Sequence, residues 1–139
     1  MLVYRVEHKE TRNGVYTSGG ASMTSTMGSG CNYGRHPVYH NDTVLNNLVE
    51  LYRIDVWGKC RFGFVSIQQL RRWFFNDVWI RELNGEHVIS IYEVPDESVF
   101  VGITQLIFKN EYHTEKHRVE TFPFVTLLDN PTTFDKFEI

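Results

Sequence analysis

The chain has 139 residues, of which 42% are hydrophobic and 14% aromatic, and a formal net charge of −3. These values fit one globular domain, residues 1–139, with a sizeable core. The 14 Lys and Arg residues form no long basic run, which disfavours a nucleic-acid-binding protein. No apolar run approaches the ~20 residues of a membrane span, and no export signal is evident. We therefore expect a cytoplasmic protein with Cys31 and Cys60 as free thiols.

The N-terminal pattern predicts a strand, a turn and a long loop. Side chains alternate from Leu2 to Lys9, with Arg5 on the more polar face, which is the period of a strand. Asn13-Gly14 tolerates positive φ and predicts a hairpin turn before a short strand at residues 15–17. Residues 18–34 are rich in Ser, Gly, Met and Thr with scarcely any charge, and predict a loop that lies over another part of the molecule.

Three helices are predicted in the middle of the chain. Asp42 is placed to cap a helix from Thr43 to about Tyr52. Ser66 and Gln69 form a capping-box pattern at the start of the next helix. A third, short helix at residues 78–83 follows Asn76-Asp77. The first helix is predicted to bury Leu45, Leu48, Leu51 and Tyr52, and the second to bury Ile67, Leu70, Trp73 and Phe74.

The C-terminal half predicts strands. Residues 87–94 and 99–109 are rich in β-branched and aromatic residues. Gly102, inside the second segment, indicates a bulge or a close approach to the backbone. One more strand is predicted near residues 119–125, before an irregular tail anchored by Phe134 and Phe137. Together the elements predict an α+β domain with a mostly antiparallel sheet and two or three helices.

No pattern predicts a metal site or a known catalytic motif. His113 and His117 are four residues apart, as are His36 and His40. The first pair lies in a highly charged segment without the zincin order of residues, and Pro37 disfavours a helix around the second. The chain has neither a nucleophile elbow nor a phosphate-binding glycine motif.

Several short motifs resemble, in combination and in order, a family of small phage and bacterial proteins. The resemblance covers residues 2 to about 109 and rests on Tyr4-Arg5-Val6-Glu7-His8, Gly14-Val15-Tyr16, His36-Pro37, Gly63-Phe64-Val65-Ser66-Ile67-Gln68-Gln69-Leu70, Trp73-Phe74, Tyr92-Glu93-Val94-Pro95 and Gln105-Leu106-Ile107-Phe108. It implies a phage accessory protein that interferes with a host enzyme or defence system. Such a protein would act by binding a host protein or a nucleotide-like ligand, without a required cofactor.

A looser resemblance, to ADP-ribosyltransferase-like folds, implies an alternative function. It rests on an early strand with Arg5, a Gly-x-Tyr-Thr segment, a helix and a late strand that carries Gln105 in the place of a catalytic Glu. It implies an NAD-dependent enzyme that modifies a host target, with Arg5 and Gln105 as catalytic residues and Arg5, Tyr16, Ser18 and His36 as cofactor-binding residues. Because an amide keeps the hydrogen bond of a Glu but not its charge, nucleotide binding without catalysis is also consistent with Gln105.

A purely structural role is also open for each of the two proposed catalytic residues. Arg5 fits an ion pair with Glu7 or with an acid of a neighbouring strand. Gln105 is also consistent with a structural role, in which its polar side chain pairs with backbone groups at a strand edge. The sequence leaves the ligand or host target open, and it also leaves open whether the protein forms a homo-oligomer.

Overall fold

Six strands build two antiparallel sheets in a computed structural model that describes residues 1–14 and 39–138. The strands are β1 (Leu2–His8), β2 (Cys60–Gly63), β3 (His87–Glu93), β4 (Val99–Val101), β5 (Leu106–Lys109) and β6 (Arg118–Pro123). The first sheet has the order β1-β3-β6 and the second has the order β2-β5-β4. Tyr4 and Phe64 join the two sheets through a pair of backbone hydrogen bonds of 2.9 and 2.8 Å. The predicted strand at 15–17, the predicted loop at 18–34 and Cys31 lie outside the described residues.

Five α-helices lie outside the sheets, and side-chain caps mark the starts of four of them. They are α1 (Thr43–Tyr52), α2 (Val56–Lys59), α3 (Ile67–Trp73), α4 (Asp77–Leu83) and α5 (Thr126–Asp129), all within the described ranges. The side chains of Asp42, Ser66 and Asn76 accept hydrogen bonds from the first turns of α1, α3 and α4. The predicted caps and starts of α1 and α3 are confirmed. Asn76 caps α4, which begins at Asp77, one residue before the predicted start. Among the described helices, none has the length and apolarity needed to cross a bilayer.

Three apolar clusters define the layers of the α+β fold that the sequence predicts. One face of the first sheet packs on α3 and α4 through residues such as Tyr4, Ile89 and Trp73. Its opposite face shares a cluster with the second sheet, built from Val3, Tyr92, Val94, Leu106 and Phe108. The far side of the second sheet packs on α1 and α2 through Leu45, Val49, Val56 and Ile107. Both faces of β1 are therefore buried, including the polar face that carries Arg5.

The single strand predicted at residues 99–109 is wrong, because the segment forms a hairpin of β4 and β5. The Gly102 N–H donates to the Gln105 carbonyl at 2.9 Å and closes a two-residue turn. The close approach predicted at Gly102 is confirmed: a Cβ built there would lie 2.7 Å from Cγ of Asp42. The same carboxylate caps α1 and accepts from the Thr104 N–H at 2.8 Å.

The prediction for the buried face of α1 was partly wrong. Leu45 and Val49, four residues apart, are buried against the second sheet. Leu51 and Tyr52 are 72% and 62% exposed, because they lie at the end of the helix, before Arg53 leaves it with a φ of 51°. Two large apolar side chains therefore remain on the surface.

The tail after β6 has its two predicted Phe anchors but is helical rather than irregular, and the first turn also differs from its prediction. Phe134 is buried and Phe137 packs against the same cluster, within a 3-10 helix at Pro131–Phe137. In the first turn, the positive φ of 62° belongs to Arg12. Gly14, where the sequence predicts the turn, instead pairs with Glu7 as an isolated bridge.

Candidate functional site

A buried carboxylate, Glu7, organises a polar cluster between the two sheets. It is fully buried and accepts hydrogen bonds from Arg5 Nε at 3.0 Å and Arg12 Nη1 at 3.3 Å. The Tyr92 hydroxyl donates to it at 2.6 Å, and His113 Nε2 lies 2.8 Å away. A carboxylate has about four lone-pair sites, so this one has a partner for each.

The cluster holds Glu7 ionised. Burial by itself would raise the pKa of Glu7, but the hydrogen bond with His113, the charge of Arg5 and the hydrogen bond from Tyr92 outweigh it and lower that pKa to about 2. Because an ionised carboxylate only accepts, the His113 proton must lie on Nε2. Burial lowers the pKa of His113 and, together with Glu7, raises the pKa of Tyr92 to about 12. We infer a neutral imidazole and a neutral phenol around one carboxylate at neutral pH.

Arg5 lies in this cluster, and each of its guanidinium nitrogens has a protein acceptor. Besides the bond from Nε to Glu7, Nη1 donates to the Phe62 carbonyl at 2.8 Å and Nη2 to the Arg12 carbonyl at 3.4 Å. The side chain is 6% exposed. The ion pair with Glu7, which the sequence left open as an alternative, is present in the structure. A ligand-binding or catalytic role for Arg5 stays a prediction.

Of the other predicted site residues, only Gln105 lies in the described part of the structure. Gln105 is buried at the turn between β4 and β5, and its amide Nε2 has no hydrogen-bond partner among the described residues. No hydrogen bond connects Gln105 to Arg5 within residues 1–14 and 39–138. Tyr16, Ser18 and His36 lie outside the described residues.

Sequence reasoning missed three members of the polar cluster, namely Arg12, Tyr92 and His113. Tyr92 and His113 are 85 and 106 residues from Glu7 along the chain, so no local pattern links them. Spacing paired His113 with His117, whereas the structure places His117 Nδ1 2.8 Å from the Thr114 hydroxyl. In the part of the chain that is described, no group of three His, Cys, Asp or Glu residues is arranged to hold a metal ion.

A second candidate site is an open groove of about 860 Å³ between α1 and β4. Its apolar lining comprises Leu48, Tyr52, Ile54, Val99, Phe100 and Val101. The Tyr52 and Phe100 rings lie 6.2 Å apart at a tilt of 41°, and the exposed Leu51 is adjacent to Tyr52 in the chain. We call this feature the α1/β4 groove.

Carboxylates outnumber ammonium groups around the α1/β4 groove. The charged lining residues are Asp55, Asp96, Glu97, Glu111, Lys59 and Lys109. Asp96 contacts the terminal ammonium group at 3.0 Å, and Asp55 caps α2 by accepting from the Gly58 N–H at 3.0 Å. Glu97 and Glu111 are exposed and form no ion pair with any described residue. The groove is therefore an apolar floor with an acidic rim.

Comparison with known proteins identifies the family. The family model described as Bacteriophage T4 Y00F protein matches residues 1–122, which include all the motifs of the resemblance to phage proteins. Searches of curated proteins and of solved structures found no match. The comparisons give no support to the resemblance to ADP-ribosyltransferase-like folds. Because the matched range covers most of the 139 residues, the chain belongs to the Bacteriophage T4 Y00F protein family.

Proposed function

We propose that this protein is a phage accessory protein that binds a host protein through the α1/β4 groove and thereby interferes with a host enzyme or defence system. One observation carries the proposal: the large aromatic side chain of Tyr52 is 62% exposed and lines a groove whose floor is apolar. Exposed aromatic side chains next to a concave apolar surface are typical of protein interfaces. Membership of a phage protein family supports a host target.

The charge of the groove favours a protein over a nucleotide-like ligand. Its lining has four carboxylates and two ammonium groups, and phosphate groups are bound by arginine forks, helix N-termini or clustered lysines. A phosphate in this groove would meet an excess of like charge. A polypeptide that carries apolar and basic side chains would instead complement both the floor and the rim.

The Glu7 cluster supports a structural role better than a binding role. All four acceptor positions of Glu7 and every nitrogen of the Arg5 guanidinium are engaged within the protein. Binding a ligand there would require breaking buried, charge-assisted hydrogen bonds. The α1/β4 groove needs no such rearrangement.

The test is capture of a host protein followed by affinity measurement with purified components. The tagged protein is expressed in the bacterial host, the captured partner is purified, and its affinity is measured for the wild type and for Tyr52→Ala. Since truncation of an aromatic interface anchor costs ~2 kcal/mol or more, we expect at least a roughly tenfold loss of affinity.

Val78→Ala provides the matched control. Val78 is 64% exposed, close to the exposure of Tyr52, but it lies on α4 rather than in the groove. We expect this variant to bind within about twofold of the wild type. Equal losses for the two variants, or no loss for Tyr52→Ala, would contradict the proposal. A thermal shift with ATP or NAD that disappears in Tyr52→Ala would favour the nucleotide-like ligand instead.

A further inference from the structure

Among the described strands, β4 is the edge strand of its sheet, and its outer side pairs with none of them. It is the last strand in the order β2-β5-β4 and pairs with β5 through Phe100 opposite Ile107. The hydrogen bond from the Gly102 N–H to the Gln105 carbonyl, in the turn between β4 and β5, fixes which residues of β4 bond to β5. In antiparallel pairs, every second residue bonds to the partner strand. Phe100 therefore bonds to β5, and the peptide groups of Val99 and Val101 point to the open edge.

One complete donor and acceptor pair is available on that edge. The Val99 N–H is used, because it donates to the Asp96 carbonyl. The Val101 N–H and C=O have no hydrogen-bond partner among the described residues. Unpaired groups of this kind on a strand edge are a template for another strand.

The strand β4 forms part of the wall of the α1/β4 groove, which also includes Cys60 of β2 and Lys109 of β5 and has a charged end. All three residues of β4 line the groove, and Asp96 and Glu97 lie just before the strand. Glu111 follows β5, whose Phe108 pairs with the first residue of β4. The carboxylates of Glu97 and Glu111, which form no ion pair with a described residue, are therefore near the N-terminal end of β4.

From these observations we propose that the host protein supplies an extended segment that adds to β4 as a further strand, bonds to the Val101 peptide groups and places a Lys or Arg against Glu97 and Glu111. This inference rests on the proposed function and specifies how the groove is filled. In strand addition, main-chain hydrogen bonds supply affinity, and alternate side chains supply specificity. Here the apolar side chains would enter the groove and the basic ones would meet the acidic rim.

Charge complementarity favours this occupant over a second copy of the chain. A second copy would bring the same acidic rim, and the chain has a net charge of −3. Like charges at an interface oppose association. A basic segment of another protein removes that repulsion and gains favourable contacts with Glu97 and Glu111.

The test uses a synthetic probe, a short peptide of alternating valine and lysine residues, with the full-length protein. Affinity is measured by calorimetry, and protection of the Val101 amide is measured by hydrogen exchange. We expect binding that protects this amide, and about tenfold weaker binding by the matched peptide of alternating valine and glutamate. The alternation also gives the peptide two distinct edges, because all valine N–H groups point one way and all lysine N–H groups point the other.

N-methylation of the peptide separates strand addition from other ways of filling the groove. Methylation of the N–H groups on one edge should abolish binding, and methylation on the other edge should change affinity by less than about threefold. The inference would be overturned if the two methylation patterns had equal effects or if the Val101 amide stayed unprotected. It would also be overturned if no peptide bound at millimolar concentration, or if the protein associated with itself and excluded the peptide. The proposed function is judged separately, because a captured host protein that binds tightly and depends on Tyr52 would still support it.

Discussion

Glu7→Gln should destabilise the protein more than any surface substitution, because Glu7 balances a buried Arg5. The amide keeps the shape of the carboxylate but loses its charge, and one end becomes a donor. That donor end faces donors from the cluster: Arg5 and His113 contact one carboxylate oxygen, and Arg12 and Tyr92 contact the other. Removal of one partner from a buried pair typically costs about 3–5 kcal/mol. We expect a loss in this range in the free energy of unfolding at pH 7.

The pH dependence of the free energy of unfolding gives a second estimate of how much the ionised Glu7 stabilises the fold. The pKa of Glu7 is about 2 in the folded protein and about 4.3 in an unfolded chain. A lowered pKa means that the unfolded state binds the proton first, so stability is complete above the unfolded value and is lost as the pH falls toward 2. Integrated over that window, the shift corresponds to about 3 kcal/mol. The Gln variant should lack this part of the acid sensitivity.

The assay is urea denaturation of the wild type and the variant between pH 2 and pH 7. Glu120→Gln is the matched control, because Glu120 lies 3.7 Å from Lys136 in an exposed ion pair. Exposed pairs contribute about 0–1 kcal/mol, so this control should stay within that range. A Glu7→Gln variant within about 1 kcal/mol of the wild type at pH 7 would refute the argument that Glu7 organises the buried cluster.

Three further substitutions test the packing. Trp73→Ala should cost about 3–5 kcal/mol in denaturant unfolding because the side chain is fully buried, and a loss below about 1 kcal/mol would contradict its core position. Gly102→Ala should cost about 2 kcal/mol by displacing the Asp42 carboxylate from its hydrogen bonds. The control Gly85→Ala, whose Cβ meets nothing within 4 Å, should stay within about 0.5 kcal/mol. His87 is fully buried, and burial lowers its pKa, so stability should fall as the pH drops below about 6.5. The melting temperature of His87→Phe should therefore fall less between pH 7 and pH 5 than that of the wild type. An equal fall in the two proteins would contradict this role of His87.

Local signals in the sequence were sufficient for the starts of α1 and α3, for the start of α4 to within one residue, and for the core of α3. A capping side chain such as Ser66 bonds to an N–H three residues away, so the whole interaction is contained in a short segment. The second half of the predicted capping box, a hydrogen bond between the Gln69 side chain and the Ser66 N–H, does not form. The Gln69 side chain accepts from the Val65 N–H and donates to the Ile103 carbonyl, so it connects α3 to the β4–β5 turn instead of closing on Ser66.

Burial of the polar face of β1 was decided by the tertiary structure. The alternation from Leu2 to Lys9 predicts a strand with one polar face, but not that a second sheet covers that face. Arg5 and Glu7 become a buried pair only when the Phe62 carbonyl, Tyr92 and His113 arrive from distant parts of the chain. The same long-range packing buries Leu45 and Val49 but leaves Tyr52 on the surface.

The sequence by itself therefore determined the class of fold, three helix starts and membership of a phage protein family, because each depends on residues that are near one another in the chain or on ordered motifs. The tertiary structure decided which polar side chains are buried together and where the α1/β4 groove lies. Those features depend on contacts between segments up to 106 residues apart, and side-chain periodicity within one segment carries no information about which other segment will cover it.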